Sequence, residues 1–255
     1  MRKIFFFDID GTLCHYNQVS PRVKKAIQDI RKQGHLCFIA TGRPPTFLQK
    51  AVKEVGFDGY VFCNGAYAIN EEGIIHEIKM NDEHFKPLLD YMKDHHCEYI
   101  LQTRDTNYLH PSFHRLYDFY DQIKIPVTGF VREFDEDAIL DDIIKIEIWP
   151  DTPEFGDVLK ANFPHYTWHQ YMHSNMEIYL NGISKAWGIQ QVVDYYHIDF
   201  DQTYCFGDGT NDIEMLESVA NSYAMGNASD EVKAHAKYVC PSIEEDGIAV
   251  ILESL

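Results

Sequence analysis

The sequence predicts an α/β protein built on a parallel β-sheet, and three observations lead to that prediction. An apolar run from Ile4 to Phe7 is typical of a strand that is buried on both faces. Runs of this kind alternate along the chain with stretches of helical periodicity, as expected when crossover helices join parallel strands. A middle segment, from about residue 81 to 181, changes in character, and we interpret it as a second α/β domain inserted into the first.

The first part of the chain alternates strand and helix signals. A Ser-Pro pair is a common helix start, because serine caps the first turn and proline has no amide hydrogen to leave unpaired. A glycine after an apolar helical stripe is an equally common helix end. The predicted elements are, in order, a strand at 4–7, a helix from Ser20-Pro21 to Gly34, a strand at 36–40, a helix ending near Val55, and a strand with a hairpin over 60–78.

The inserted segment is rich in histidine and tyrosine and is interrupted by prolines, and the strand–helix rhythm resumes after it. We place the outer domain at 1–81 and 182–255, and the insertion at 82–181. Within the insertion, helices are predicted at 83–95 and 153–162, and strands at 98–103, 143–149 and 177–180. After it come a helix over 185–196 and a short strand over 204–206.

Composition limits the classes of function. The formal net charge of −18 over 255 residues argues against a nucleic-acid partner, because binding to a phosphate backbone needs clustered Lys and Arg. No apolar run approaches the length of a membrane span. The first residues lead directly into a predicted strand, so we expect no signal peptide. The six cysteines form no CxxC pair, so we expect buried, reduced thiols in a cytoplasmic protein.

Two acidic residues directly follow the first predicted strand. Asp8 and Asp10 lie two positions apart, so on an extended chain their side chains point the same way. Ligands of α/β sheets bind at the carboxyl ends of strands, and adjacent carboxylates stay ionised together only where a cation or proton shares the site. An ordinary Asp-Gly turn, formed by Asp10 and Gly11, explains the same residues equally well.

A second acidic loop favours a metal site. Asp208 and Asp212 follow the predicted strand at 204–206 within a glycine-rich turn. Four carboxylates at two strand ends would converge only around a divalent cation, and hard oxygen ligands suit Mg²⁺. The spacing is not that of an EF-hand loop, which needs Gly at its sixth position and Glu at its twelfth. A DxD site like that of glycosyltransferases is conceivable from Asp8 and Asp10 alone, but it leaves the second loop unexplained.

Further residues suit a phosphate ligand. Thr41 and Gly42 end the second predicted strand and offer a hydroxyl group and open amides, while Arg43 adds a planar cation. An ordinary strand-to-helix loop is the alternative interpretation. Lys185 stands in the first turn of a predicted helix, where a cation opposes the helix dipole and therefore breaks a local rule. Such a lysine is either simply solvated or functional.

Together these segments resemble the four ordered motifs of the haloacid dehalogenase superfamily. The chain is most similar to Cof-like phosphatases, which carry a large α/β cap of type IIB between the second and third motifs. The resemblance implies a Rossmann-like parallel-sheet core with helices on both faces and an inserted α/β cap domain. One departure is Ala186, where a glycine commonly follows the motif lysine. The matching segments are Asp8-Ile9-Asp10-Gly11-Thr12, Thr41-Gly42-Arg43, Lys185 and Gly207-Asp208-Gly209-Thr210-Asn211-Asp212, with Asn64-Gly65-Ala66, 224–228 and 246–249 as subfamily features.

The resemblance also implies a role for each motif residue. Asp8 would be the nucleophile that forms an aspartyl-phosphate, and Asp10 would act as general acid and then as general base. Mg²⁺ would be held by Asp8, the backbone carbonyl of Asp10 and Asp208, with Asp212 as a further ligand or close behind them. The residues that would hold the phosphoryl oxygens are Thr41, Gly42, Lys185 and Asn211.

The predicted function is therefore Mg²⁺-dependent hydrolysis of a small phosphorylated metabolite, such as a sugar phosphate, a nucleotide or a cofactor phosphate. A phosphotransferase or phosphomutase shares the same core residues, and a non-catalytic phosphometabolite-binding protein is a further alternative. Neither the substrate nor the oligomeric state is readable from the sequence.

Substrate contacts are the least specific part of the prediction. The candidates are Arg43 and Asn64 near the motifs, and Arg104, Tyr108, Arg115, His169 and Tyr171 in the insertion. A spacing of four residues between His165, His169 and His173 would suggest a zinc site on a helix, but the intervening aromatic residues favour a strand or an irregular segment.

Overall fold

The fold is described from a computed structural model, for residues 1–123, 129–170 and 175–255. The chain divides into two compact units. The first comprises Met1–Arg43, Leu48–His76 and Ser184–Leu255, and the second comprises Pro44–Phe47 and Glu77–Ile183. The second unit begins at Glu77, a few residues before the predicted boundary at 82. The Glu77 carboxylate lies 3.9 Å from Lys79 and 3.6 Å from Arg104 of that unit.

The first unit is built on a largely parallel sheet. Among the described residues, its eight strands lie in the order β14-β13-β12-β1-β2-β3-β4-β5. Neighbours from β14 to β3 pair in parallel, and β4 pairs antiparallel with β3. The strands are β1 (Ile4–Phe7), β2 (Leu36–Ala40), β3 (Gly59–Phe62), β4 (Tyr67–Asn70), β5 (Gly73–Glu77), β12 (Thr203–Gly207), β13 (Asn221–Ala224) and β14 (Tyr238–Val239).

Helices pack on this sheet as the crossover pattern predicts. One core contains Ile4 and Phe6 of β1 together with Ile189 and Met215, which lie on two of the helices. The first helix begins after Ser20, whose hydroxyl accepts a hydrogen bond from the Arg22 amide (3.3 Å). The helices of this unit are α1 (Pro21–Lys32), α2 (Lys50–Lys53), α6 (Lys185–Tyr196), α7 (Ile213–Ser218), α8 (Asp230–Ala234) and α9 (Gly247–Leu252).

The helix predicted to end near Val55 is only partly present. A 3₁₀ turn over Pro45–Phe47 is followed by the four-residue helix α2. Phe47 belongs to the core of the second unit, where its ring packs against those of Tyr120 and Phe130. The distances between ring centroids are 5.1 and 5.7 Å. The predicted helix is therefore interrupted because Phe47, in its first turn, packs into the core of the second unit.

The second unit is a smaller sheet with its own helices, which confirms the prediction of a second α/β sheet. Its described strands lie in the order β10-β11-β9-β6-β7-β8. Leu88 and Leu159, on the first and last of its helices, join a core on one face, and Leu116 of the middle helix joins a second core. The elements are α3 (Phe85–Asp94), β6 (Glu98–Gln102), β7 (Asn107–Leu109), α4 (His114–Gln122), β8 (Phe130–Val131), β9 (Lys145–Trp149), α5 (Pro153–Asn162), β10 (Tyr166–Gln170) and β11 (Met176–Leu180).

The parallel pairing decides where the polar motifs lie. The carboxyl ends of β1, β2, β3 and β12 meet at one edge of the first sheet because these strands are parallel neighbours. The segments that begin at Asp8, Thr41, Cys63 and Asp208 follow directly on these ends.

Two predictions from composition concern the whole chain. Each of the six cysteines is buried and unbridged, as expected for reduced thiols. Among the helices that the structure describes, none combines the length and the hydrophobicity needed to cross a lipid bilayer.

Candidate active site

A buried lysine lies between two carboxylates at the start of α6. Its Nζ donates to Oδ1 of Asp8 (2.5 Å) and to Oδ1 of Asp212 (2.6 Å), and all three side chains are buried. Ser184 caps the helix by accepting a hydrogen bond from the Trp187 amide (3.3 Å), which makes Lys185 the first helical residue. The lysine thus tolerates the unfavourable end of the helix dipole because two acids hold it there.

The three charges alter one another's affinity for protons. Burial raises the pKa of the Asp8 carboxyl well above its ordinary value, and Asp212 adds to this, whereas Lys185 opposes it. Burial by itself lowers the pKa of Lys185, but the charges of Asp212 and Asp8 outweigh that effect and hold its pKa above the ordinary value. Because two carboxylates share one ammonium group, a further cation or proton would stabilise the site.

Asp208 joins this acidic cluster from the end of β12. One carboxylate oxygen each of Asp8, Asp208 and Asp212 lies within 4.8 Å of the others. The Thr12 hydroxyl donates to Asp208 Oδ1 (2.6 Å), yet burial raises the pKa of Asp208 to about 6. A Cβ on Gly11 would lie 2.2 Å from Asp208 Oδ2, so a glycine is required at that position.

Both oxygens of Asp212 are engaged by protein donors. Oδ1 binds Lys185, and Oδ2 accepts from the amides of Asp208 and Gly209, both at 2.9 Å. Asp212 therefore supports the loop and the lysine. Asp8 and Asp208 offer an oxygen-only donor set that suits a hard divalent cation, so the residues present fit such an ion.

Among the described residues, the acidic cluster does not include the carboxylate of Asp10. Arg43 binds that carboxylate at two points, from Nε to Oδ2 and from Nη2 to Oδ1, both at 2.7 Å. The Asp10 side chain is 58% exposed and that of Arg43 only 16%. The pairing of two donors with two acceptors holds the carboxylate in one orientation while leaving it open to solvent.

The residues predicted to bind phosphate are brought together at the same edge. Thr41 is buried, and its hydroxyl oxygen accepts a hydrogen bond from the Arg43 amide (3.2 Å). The Asn64 side chain occupies the space beside Gly42, where a Cβ would lie 2.9 Å from Asn64 Oδ1. Asn211 Nδ2 lies 3.5 Å from the same oxygen. Residues from the ends of β2, β3 and β12 thus form one contiguous group.

The candidate substrate contacts in the insertion belong to the second unit. Arg104 pairs with Asp105 at 3.0 Å, and Tyr108 packs against the ring of Phe134. Arg104 and Tyr108 both line a polar cavity of about 130 Å³ within that unit. Arg115 pairs with Glu98 and Asp151, at 3.3 and 2.7 Å.

The two described histidines of the zinc alternative, His165 and His169, do not lie on a helix. His165 directly precedes strand β10 and its ring stacks on that of His84. His169 lies on the strand, and its Nδ1 is 4.0 Å from Glu177 Oε2. Tyr171 and His173 lie outside the described residues.

Two supports of the site were not assigned from the sequence. Thr12 belongs to the first motif, and local sequence patterns do not predict its contact with Asp208. The Asn227 side chain donates a hydrogen bond to the carbonyl of Gly11 (2.8 Å) and accepts one from the amide of Ile243 (2.9 Å). It therefore connects the first acidic loop to the 3₁₀ turn that begins at Ile243. Asn227 lies within the subfamily feature at 224–228, which is the sequence signal by which this residue could be found.

Comparison with known proteins identifies the family. The model for haloacid dehalogenase-like hydrolases matches residues 5–252. YkrA of Bacillus subtilis (strain 168) is 28% identical over 255 residues, which cover 99% of this chain and 97% of YkrA. The 5-amino-6-(5-phospho-D-ribitylamino)uracil phosphatase YitU of the same organism is 30% identical, over 96% of this chain and 94% of YitU.

A solved structure supports the same assignment. The HAD subclass IIB sugar phosphatase BT4131 is 28% identical and superposes with a TM-score of 0.86, over 99% of this chain and 98% of that protein. Both the family model and the relatives extend over nearly the whole chain, including both units. This chain therefore belongs to the haloacid dehalogenase-like hydrolases and is an enzyme of the phosphatase type.

Proposed function

We propose that this protein is a Mg²⁺-dependent phosphatase that hydrolyses small phosphorylated metabolites through an aspartyl-phosphate on Asp8. The observation that carries the proposal is the buried Lys185 between Asp8 and Asp212, with Asp208 beside them. The names of two relatives point the same way, since YitU is named for a phosphorylated ribitylamino-uracil and BT4131 for a sugar. A sugar phosphate, a nucleotide or a cofactor phosphate is the proposed class of substrate.

Asp8 is the proposed nucleophile. One of its carboxylate oxygens attacks phosphorus, the bond from phosphorus to the leaving oxygen breaks, and the phosphoryl group is transferred to Asp8. The hydrogen bond from Lys185 to Asp8 Oδ1 orients this carboxylate and offsets its repulsion of the incoming phosphate. Thr41, Gly42 and Asn211 are proposed to bind the phosphoryl oxygens.

Asp10 is the proposed general acid and base. It gives a proton to the leaving alcohol, and it then takes one from the water that attacks the aspartyl-phosphate and releases inorganic phosphate. Its carboxylate is exposed, and the two-point pairing with Arg43 orients it. Arg43 is thereby a support of Asp10 as well as a candidate substrate contact.

The proposed Mg²⁺ ligands are Asp8, the backbone carbonyl of Asp10 and Asp208, with Asp212 behind them. When bound, the ion would offset the repulsion between the phosphate and the Asp8 carboxylate. The donor chemistry supports this assignment because the carboxylates outnumber the ammonium groups in the buried cluster.

Substrate selection is assigned to the inserted residues 82–181, and catalysis to 1–81 and 182–255. Arg104 and Tyr108 in the insertion, and Asn64 near the motifs, remain proposed contacts for the part of the substrate beyond its phosphate. This assignment is supported by the arrangement of the motifs, all four of which lie outside the inserted residues.

A panel of phosphorylated metabolites tests the function. The purified protein is assayed with Mg²⁺ for release of inorganic phosphate, and kcat/KM is compared between sugar phosphates, nucleotides and cofactor phosphates. Product analysis in the presence of alcohol acceptors separates hydrolysis from phosphoryl transfer. Activity that survives thorough removal of divalent cations would overturn the metal assignment, and a panel without any turnover would overturn the proposal.

A further inference from the structure

The turn between β3 and β4 has an unusual backbone. Cys63, Asn64 and Gly65 are all buried, and their φ angles are 52°, 51° and 100°. Glycine adopts left-handed angles readily, whereas cysteine and asparagine do so only at a cost in free energy. Consecutive left-handed residues persist where the surrounding structure imposes them, and such sites are concentrated around functional groups.

One side of the turn holds the segment that follows β2. The amide of Cys63 donates to the Arg43 carbonyl, and the amide of Asn64 to the Thr41 carbonyl, both at 3.1 Å. The Asn64 side chain fills the space that the missing Cβ of Gly42 leaves open. Each of these contacts acts on the Thr41–Arg43 segment, in which Thr41 and Gly42 are proposed to bind the phosphoryl oxygens.

The other side of the turn touches the start of α6. A Cβ on Gly65 would lie 2.0 Å from the Ser184 carbonyl oxygen, and one on Gly188 would lie 2.6 Å from Gly65 Cα. The two backbones are therefore in direct contact with no side chain between them. His76 Nε2 also forms a hydrogen bond with the Gly65 carbonyl (2.7 Å), so the turn is restrained from a third direction.

We propose that the Cys63–Gly65 turn is a spacer that sets the distance between the Thr41–Gly42 segment and Lys185, with Asn64 as its positioning residue. This inference rests on the proposed function, because those two segments are the ones assigned to the phosphoryl group. A spacer whose contact with α6 is made by backbone alone adapts little on that side, since no side-chain rotamers absorb a displacement there. That rigidity would account for the left-handed run at a position where a relaxed turn could join the same two strands.

The test perturbs the two sides of the turn separately. Asn64→Gly keeps the left-handed backbone but deletes the amide beside Gly42, and Asn64→Ser serves if the glycine variant does not fold. Gly188→Ala adds a methyl group against Gly65 from the α6 side. His197→Gly is the matched control, because His197 is also left-handed (φ 52°) but lies at the opposite end of α6.

The readouts are the inhibition constant of inorganic phosphate, KM and kcat with the best metabolite, and Tm. For Asn64→Gly, the phosphate inhibition constant and KM should rise together by about 3- to 10-fold, the loss expected for one hydrogen-bonding group, while kcat changes less. Gly188→Ala should raise the same two constants, and His197→Gly should leave them within about twofold.

A lower Tm with an unchanged phosphate constant in folded Asn64→Gly would overturn the inference and leave the turn a purely structural feature. A wild-type protein that neither binds phosphate nor hydrolyses any metabolite would instead contradict the proposed function. The two failures are distinguishable because the first is seen only in an active wild-type protein.

Discussion

Lys185 shows how a single residue links stability to the proposed chemistry. Its ammonium group compensates two buried carboxylates, Asp8 and Asp212, which would otherwise be costly to keep in the interior. The same hydrogen bonds determine which way the Asp8 carboxylate points. A change at this residue should therefore affect both the folded state and turnover.

Replacing Lys185 by methionine tests the structural part of this role. The substitution leaves two buried acids without their cation, and we expect a loss of about 3–5 kcal/mol in the free energy of unfolding near neutral pH. Because the folded-state pKa of Asp8 is already raised above its unfolded value, the folded protein can take up a proton as the pH falls. The loss should therefore be smaller at acidic pH.

Urea unfolding at two pH values measures this effect. Lys50→Met is the control, because Lys50 is a surface lysine whose side chain is 89% exposed, and its loss should stay within about 0.5 kcal/mol. A loss that is the same at acidic and alkaline pH would contradict the assignment of the buried acids as its cause.

Asp8→Asn tests the nucleophile. The amide has the same shape but cannot attack phosphorus, so kcat should fall by at least ~10³-fold while circular dichroism shows the fold retained. Asp29→Asn is the matched control on the exposed face of α1, where the carboxylate pairs only with surface lysines among the described contacts, and it should retain full turnover. Retained turnover in Asp8→Asn would exclude the proposed aspartyl-phosphate.

At the scale of elements, the N-terminus of α6 determines where Lys185 stands. Ser184→Ala removes the cap that accepts from the Trp187 amide and should cost ~1 kcal/mol of stability. Because the first helical turn would fray around Lys185, kcat/KM should also fall by a few-fold. Ser229→Ala removes an equivalent cap from α8, also at 3.3 Å, and should cost similar stability without any loss of activity. Equal kinetics in the two variants would show that this cap does not position Lys185.

The elements differ in how well sequence patterns predict them. Buried strands such as β1 and β2, and capped helices such as α1 and α6, lie where periodicity and caps place them. The helix predicted before Val55 is incomplete because Phe47 packs into another core. Short elements such as β14 carry too few residues to show a period.

At the scale of the whole molecule, the acidic cluster predicts that metal binding depends on pH. The pKa of Asp208 in the folded protein is about 6, above its unfolded value, so in the metal-free protein this group lowers stability as the pH rises from about 4 to 6. A bound cation would favour the ionised carboxylate and recover that stability. Mg²⁺ should therefore raise Tm clearly at about pH 7.5 and little at about pH 5.

Thermal unfolding with and without Mg²⁺ at both pH values provides the measurement. Asp208→Asn is the companion variant, since it removes both the titrating group and a proposed ligand and should abolish the difference. An equal rise in Tm at the two pH values would contradict the role of Asp208 as a ligand.

The buried thiols predict slow chemical reactivity. Burial raises the pKa of both Cys97 and Cys240 to about 12, and only a thiolate reacts readily. The native protein should therefore react slowly with a thiol reagent, react fully in urea, and show the same Tm with or without a reductant. A reductant-dependent Tm would indicate that disulfides stabilise the protein.

The sequence by itself determined the α/β class from local patterns, and it supplied the candidate site residues from such patterns together with the resemblance to a known family. An apolar run that ends in Asp8 is visible without any knowledge of distant residues. Lys185 was also conspicuous, since its position at a helix start breaks a local rule.

Only the tertiary structure decided how these residues pair. Lys185 contacts Asp8, which is 177 positions away in the sequence, and Arg43 orients Asp10 across 33 positions. Asn64 lies beside Gly42 because β3 is a parallel neighbour of β2. Asn211 reaches the same side chain from the end of β12, two strands further along the sheet from β2. Local periodicity carries no information about such pairs, since strand order and packing bring them together.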